Sequence, residues 1–418
     1  VRHPDHSGVG WPALASGQTG PVGWPFPDPV SRETETPAAR DASVSRETDA
    51  LAAVSTPGDG GDGTDPSPGI AASPEAAEEA LASLVSRETS EREELASSLP
   101  QVDYDTPLAQ AVAADARKRI ALTGRTFPRP SGTRILTVAN QKGGVGKTTT
   151  TVNVAAALAQ AGLTVLVIDI DPQGNASTAL GIEHHAEVIS IYDVLVEGVP
   201  LADVVQECPD ISGLWCAPAT IDLAGAEIEL VSLVARETRL QKAIAAYLEN
   251  AVEQDRPRPD YVLIDCPPSL GLLTVNAFVA AQEVFIPIQC EYYALEGLSQ
   301  LLKNIELIRS HLNPTLHVST ILLTMYDGRT RLSAQVADEV RTHFPEQVLR
   351  SSVPRSVRIS EAPSHGQTVM TYDPNSSGAL SYLAAAAELA DRGAATSNGS
   401  AATTPSTTQT AEPSAAQH

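Results

Sequence analysis

Four cysteines in 418 residues are too few to staple a fold. Cys208, Cys216, Cys266 and Cys290 show no metal-ligand spacing, so they read as reduced cytoplasmic thiols. Long hydrophobic runs are missing as well. No stretch approaches the roughly 18 consecutive apolar residues of a membrane span, and no basic segment followed by an apolar one opens the chain as a secretory signal would. A soluble cytoplasmic protein without a membrane partner is the expectation; Val1 fits either a GTG start codon or a trimmed chain. Positive charge is scarce, with 28 Lys and Arg against 51 Asp and Glu and a net charge of −23. That balance argues against generic polyanion binding by the whole protein.

The composition is uneven along the chain. Residues 1–105 are loaded with Pro, Gly, Ser, Ala and acids, as in Gly58-Asp59-Gly60-Gly61-Asp62-Gly63, and lack sustained apolar periodicity. Such a segment buries too little surface to offset its ordering entropy, and a disordered low-complexity tail is expected. Residues 393–418, rich in Ser, Thr and Ala, read the same way. Between them stand a short basic helix or linker at 106–132 and one folded domain at 133–392, about 260 residues and large enough for a core. In the linker, Leu108, Val112, Ala116 and Ile120 recur every fourth position, which predicts a helix over Thr106 to Leu122 ending in Arg117-Lys118-Arg119. That basic cluster suits a helix packed on the domain, or an accessory contact to DNA or a partner.

The chemistry begins at Lys142-Gly143-Gly144-Val145-Gly146-Lys147-Thr148-Thr149. An apolar strand, Arg134 to Ala139, precedes the octet, and an Ala-, Val- and Leu-rich helix from Thr148 to Gln160 follows it. Glycines let the backbone curl with its N–H groups turned inward on a phosphate, and the helix N-terminus adds partial positive charge. Lys147 is placed to reach the β- and γ-phosphates, and the Thr148 hydroxyl to ligate Mg²⁺. Gln141 stands where the standard phosphate-loop pattern has Gly, and Lys142 is an extra lysine at the head. Two aliphatic strands then end in acids, Val165 to Asp169-Ile170-Asp171 and Tyr261 to Asp265. Their carboxylates fall at the carboxyl edge of an open α/β sheet, where ligands bind. Asp265 is the candidate for holding Mg²⁺ through water, and Asp171 for positioning the attacking water.

From about Thr133 to Arg392 the chain resembles the ParA/Soj chromosome- and plasmid-partitioning ATPases. The resemblance rests on Asn140 to Thr149, Asp169 to Asn175, Ala217-Pro218-Ala219-Thr220, Leu223 to Glu227, Asp265 to Leu273, Glu291 to Gly297 and Ser360 to Gly366, all in family order. It implies a doubly wound, mainly parallel twisted sheet of the P-loop NTPase class with helices on both faces. It implies ATP and Mg²⁺ as ligands, bound by the octet, and a homodimer that sandwiches two ATP molecules. In the family, a lysine at the position of Lys142, the mark of the deviant Walker A form, is thought to cross the dimer interface to the partner's phosphates. The resemblance further implies non-specific binding to double-stranded DNA over the nucleoid and hydrolysis stimulated by a ParB-type centromere-binding protein. An ATP-liganded DNA-bound scaffold or transcriptional regulator with little turnover is the alternative. Residues 134–392 carry 17 basic and 30 acidic side chains, so DNA binding needs local concentration of arginine. Residues 326–360 supply Arg329, Arg331, Arg341, Arg350, Arg355 and Arg358. Arg329 and Arg358 match family positions associated with DNA, and Arg355 is added by proximity; only phosphate contacts are implied.

One pattern lies apart from the domain. Val-Ser-Arg-Glu-Thr occurs at 30–34, 44–48 and 85–89, too short a unit to build a folded repeat. The codons GTT-TCA-CGT-GAA-AC encode it and contain GTTTCACGTGAAAC, its own reverse complement, which matches the parS site bound by ParB. The repeats read as translated parS sites, either in a genuine tail or in upstream DNA included by an early start codon; a linear motif binding a partner by avidity is the competing account. Val234-Ala235-Arg236-Glu237-Thr238, a near copy, reads as ordinary domain sequence.

Overall fold

Continuous burial shapes the centre of the domain. The computed structural model describes residues 107–253 and 258–400. Within them run strands β1 (Arg134–Val138), β2 (Val165–Asp169), β3 (Gln206–Glu207), β4 (Leu214–Ala217), β5 (Tyr261–Asp265), β6 (Glu283–Gln289), β7 (His317–Tyr326) and β8 (Val348–Pro354). They form one sheet in the order β3-β4-β2-β5-β1-β6-β7-β8, parallel throughout except for β3 against β4. Every residue of β2, β5 and β6 is buried, which requires cover on both faces, as parallel sheets do.

Ten helices matter to the site. They are α1 (Pro107–Leu122), α2 (Lys147–Gln160), α3 (Asn175–Ala179), α4 (Leu223–Val231), α5 (Arg239–Glu253), α6 (Leu272–Ala280), α7 (Ala294–His311), α8 (Arg331–His343), α9 (Val357–Glu361) and α10 (Ser377–Ser400). On one face Leu136, Val138, Val165, Val167 and Leu263 pack with the Ala- and Leu-rich sides of α2 and α10. Ala155, Ala156 and Ala157 of α2 and Ala385, Ala386 and Ala387 of α10 are among the buried contacts, and their small side chains let two helices and the sheet approach closely. Ile135, Leu166, Ile168, Val262 and Ile264 point the other way and are equally buried.

The anticipated basic helix is present as α1. Its apolar stripe is only partly used: Val112 is 62% exposed, while Leu122 and the following Phe127 enter the core. Arg119 is held to the domain, donating to the Pro374 and Asn375 carbonyls and to Asn375 Oδ1. At the other end, α10 continues past Arg392 to Ser400, so the expected boundary at 393 is not where the helix stops. Alanines favour its continuation, and a Cβ at Gly393 would press on the Arg134 guanidinium, which would have to shift. The 1–105 tail with its three repeats and residues 401–418 lie outside the described residues.

Candidate nucleotide-binding site

Register brings the chemistry to one edge. β5 lies between β1 and β2, with Val138 beside Asp265 and Asp265 beside Asp169, so the octet and both acidic strands end together in the middle of the sheet. On the far side of β1 is β6. Asn140 ties these two ends: its side-chain N–H donates to the Pro287 carbonyl at 2.9 Å, and its Oδ1 accepts the Lys142 N–H at 3.0 Å.

The loop has the shape required for an anion. Gly144 (φ 73°) and Gly146 (φ 86°) occupy the left-handed region, where a side chain would be strained, and a Cβ at 143, 144 or 146 would meet nothing within 4 Å. The inner face of the loop is therefore open. α2 starts at Gly146 without a side-chain cap, leaving first-turn N–H groups to an anion from outside. Val145 is buried and its carbonyl accepts from Thr324 of β7 at 2.8 Å, which fixes the loop from below.

Lys147 is buried, and desolvation lowers its pKa against the pull of Asp265, Cys266 and Asp171. Its ammonium has one weak acceptor, the Lys142 carbonyl at 3.4 Å. Beneath it, Asp265 is fully buried; burial first, then the charge of Asp169, raises its pKa to about 8, while the Thr148 and Thr151 hydroxyls pull the other way. Thr151 donates to Asp265 Oδ1 at 2.9 Å, but Oδ2 is buried without a hydrogen-bond partner. An orphaned carboxylate oxygen under an open glycine loop fits a hydrated Mg²⁺. Among the described residues no group of three His, Cys, Asp or Glu could chelate a metal, so such an ion would need further ligands from phosphate and water. Asp169, which burial pushes up to about 6, binds the Ser177 N–H and hydroxyl at 2.9 and 2.8 Å and the Asp171 N–H at 3.1 Å. It holds the turn that carries Asp171, whose own Oδ1 accepts from Gln173 N–H.

Residues 133–318 match the AAA domain family. The sporulation initiation inhibitor protein Soj of Bacillus subtilis is 51% identical over 260 residues, 62% of this chain and 99% of Soj. The chain belongs to the ParA/Soj family of chromosome-partitioning ATPases. The chromosome partitioning protein ParA of Caulobacter vibrioides is 49% identical over 259 residues, 62% of this chain and 94% of ParA. Among solved structures, one titled cobyrinic acid a,c-diamide synthase from Mycobacterium smegmatis, with bound ADP and magnesium, is 37% identical with a TM-score of 0.51; the match covers 62% of this chain and 93% of that one.

Not every residue singled out in this ParA/Soj chain lies at the loop. Lys142 turns toward its own subunit, its ammonium 2.8 Å from Glu291 Oε2. The six arginines of 326–360 separate. Tyr326 pairs with Pro354, which places Arg329 and Arg355 at the same carboxyl edge, with Arg358 just beyond on α9. Arg341 lies in the last turn of α8, and Arg350 is near the start of β8, toward the opposite edge. Arg329 is paired with Asp327 at 2.9 Å, and Arg358 with Glu361 at 3.2 Å and Asp373 at 3.4 Å. Sequence reasoning missed Thr151, Ser177, Asn140 and Glu291 as supports of the site. Thr151, one helical turn beyond Lys147, and Asn140, two residues before Lys142, had a local signal.

Proposed function

We propose that the protein is an ATP hydrolase that works as a partitioning switch: two copies close around two ATP·Mg²⁺, bind duplex DNA without sequence preference, and release it after hydrolysis stimulated by a ParB-type protein. The carrying observation is the open glycine loop together with the unpartnered Oδ2 of Asp265 and a buried Lys147 that feels its charge. The ADP and magnesium in the structure named for the Mycobacterium smegmatis synthase support the same ligands here.

Each residue has a task. Loop N–H groups and Lys147 neutralise the β- and γ-phosphates; Thr148 and, through water, Asp265 hold Mg²⁺, which adds positive charge where negative charge accumulates in phosphoryl transfer. Asp171, fixed by Asp169, orients water in line with the γ-phosphate. Lys142 acts from the partner subunit. Dimerisation is supported by apolar side chains exposed on segments that leave the carboxyl edge, among them Ile228 (79%), Tyr292 (73%) and Tyr293 (66%). Arg329, Arg355 and Arg358 contact phosphate from that same edge.

ATP turnover, measured with and without DNA and a ParB-type partner, tests the reading. Turnover is expected to rise with both added. Lys147→Ala should abolish tight ATP binding, and Asp171→Ala should keep the ATP-bound dimer on DNA by stopping hydrolysis. ATP binding without stimulated turnover would favour the scaffold alternative, and unchanged affinity in Lys147→Ala would remove the site assignment.

A further inference from the structure

Lys142 heads the loop, yet its ammonium is engaged 2.8 Å from Glu291 Oε2 on the connection between β6 and α7. That carboxylate is itself held. Gln289 donates its side-chain amide to Glu291 Oε1, the Glu291 N–H donates to the Gln289 carbonyl at 2.8 Å, and the Glu291 carbonyl accepts the Ala294 N–H at 2.9 Å as α7 begins. Asn140 binds the loop head to the same strand end through Pro287. The acceptor is therefore held by its own strand end.

We infer that Glu291 is the positioning residue for Lys142: it holds the lysine against its own subunit until the partner's phosphates displace it, and so raises the threshold for dimerisation. The inference rests on the cross-subunit role proposed for Lys142. A compact ammonium on a flexible stem exchanges acceptors readily, and a nucleotide's phosphates carry several charges against one on Glu291. The pair is about one-third to one-half exposed, at 35% and 46%, so it is weak enough to break. Each such pair contributes a factor of about 1.4 to 5 in an equilibrium constant, and two are broken in every symmetric dimer. Removing both latches should tighten the dimer roughly 2- to 30-fold.

Dimer dissociation constants of the full chain, measured by analytical ultracentrifugation with Mg²⁺ and a non-hydrolysable ATP analogue, test this. Glu291→Gln, which keeps the shape and loses the charge, should dimerise more tightly by the stated factor and still require the analogue. Glu291→Asp, which keeps the charge, should stay near wild type, an outcome that a purely structural role for the side chain would not give. Lys142→Ala and Lys142→Ala/Glu291→Gln should be equally poor dimers. Unchanged or weaker dimerisation of Glu291→Gln overturns the latch, as does tightening that persists without Lys142. Wild-type dimerisation by Lys142→Ala would instead overturn the cross-subunit role itself.

Discussion

Asp265 is a carboxylate in a place that favours its neutral form. An acid whose folded pKa is raised to about 8 holds its proton more tightly folded than unfolded, where the usual value is about 3.9. Its contribution therefore turns against folding as pH rises from about 4 to 8 and is constant above that range. Asp169 acts in the same sense up to about 6. The nucleotide-free protein should lose thermal stability as pH is raised from about 5 to 8, and Mg²⁺·ATP, which in the proposed site uses the charged form, should restore it. Asp265→Asn should melt higher than wild type near pH 8 without nucleotide, show a shallower pH dependence, and lose Mg²⁺-dependent ATP binding. Melting curves at several pH values check this; an unchanged slope in the variant would show that Asp265 is not the titrating group.

Among elements, β1 and α10 are joined at the edge opposite the site. Arg134, the first residue of β1, makes a bidentate pair with Glu283 of β6 at 2.8 and 2.6 Å and donates to the Leu389 carbonyl of α10 at 2.9 Å. Burial pushes the Glu283 pKa up, but the Arg134 hydrogen bonds and charge more than offset it, so the net shift is downward. The pair thus locks the strand that carries the octet to its neighbour and to the covering helix. Glu283→Ala leaves a largely buried guanidinium uncompensated and should cost about 3 kcal/mol in urea unfolding. Gly393→Ala, which puts a methyl group into the same guanidinium, should destabilise by about 1–3 kcal/mol. A loss below about 0.5 kcal/mol in both would mean that this edge is not a clamp.

For the whole molecule, a net charge of −23 requires the proposed DNA contacts to be local and in competition with the protein's own acids. Asp327, Glu361 and Asp373 already occupy Arg329 and Arg358. Arg358→Glu, alone or with Arg329→Glu, should weaken binding of the ATP-bound protein to any duplex by a similar factor. The slope of log K against log salt should flatten by about 0.9 for each lost phosphate contact. ATP turnover without DNA should persist, and loss for some sequences only would contradict phosphate recognition. Residues 1–105 stand outside residues 133–318, the part that matches the AAA domain family. Deleting them should leave ATP binding and analogue-driven dimerisation near wild type. Recoding the three repeats synonymously should abolish ParB binding to that DNA segment, while varied native codons would favour the avidity motif.

The octet, the two acid-tipped strands and the mainly parallel sheet were legible in the chain because their determinants are local. Glycines at fixed spacing set the loop, a continuous aliphatic run sets a strand buried on both faces, and α2 and β5 begin or end within a residue of expectation. Family membership followed from the same segments in order. What surrounds them was decided only by folding. Glu291 lies 149 positions from Lys142, Thr324 lies 179 from Val145, and no local pattern marks either contact. Strand order likewise divided one sequence cluster of arginines between two edges of the sheet, because α8 carries the chain from one edge to the other between them. The last helix runs on to Ser400 through a stretch whose Ser-, Thr- and Ala-rich composition carries no mark of it, because Gly393 packs against the Arg134 guanidinium, far away in the sequence. Local spacing encodes the elements and the glycine loop; the partners that hold that loop in place are brought to it by packing across the sheet.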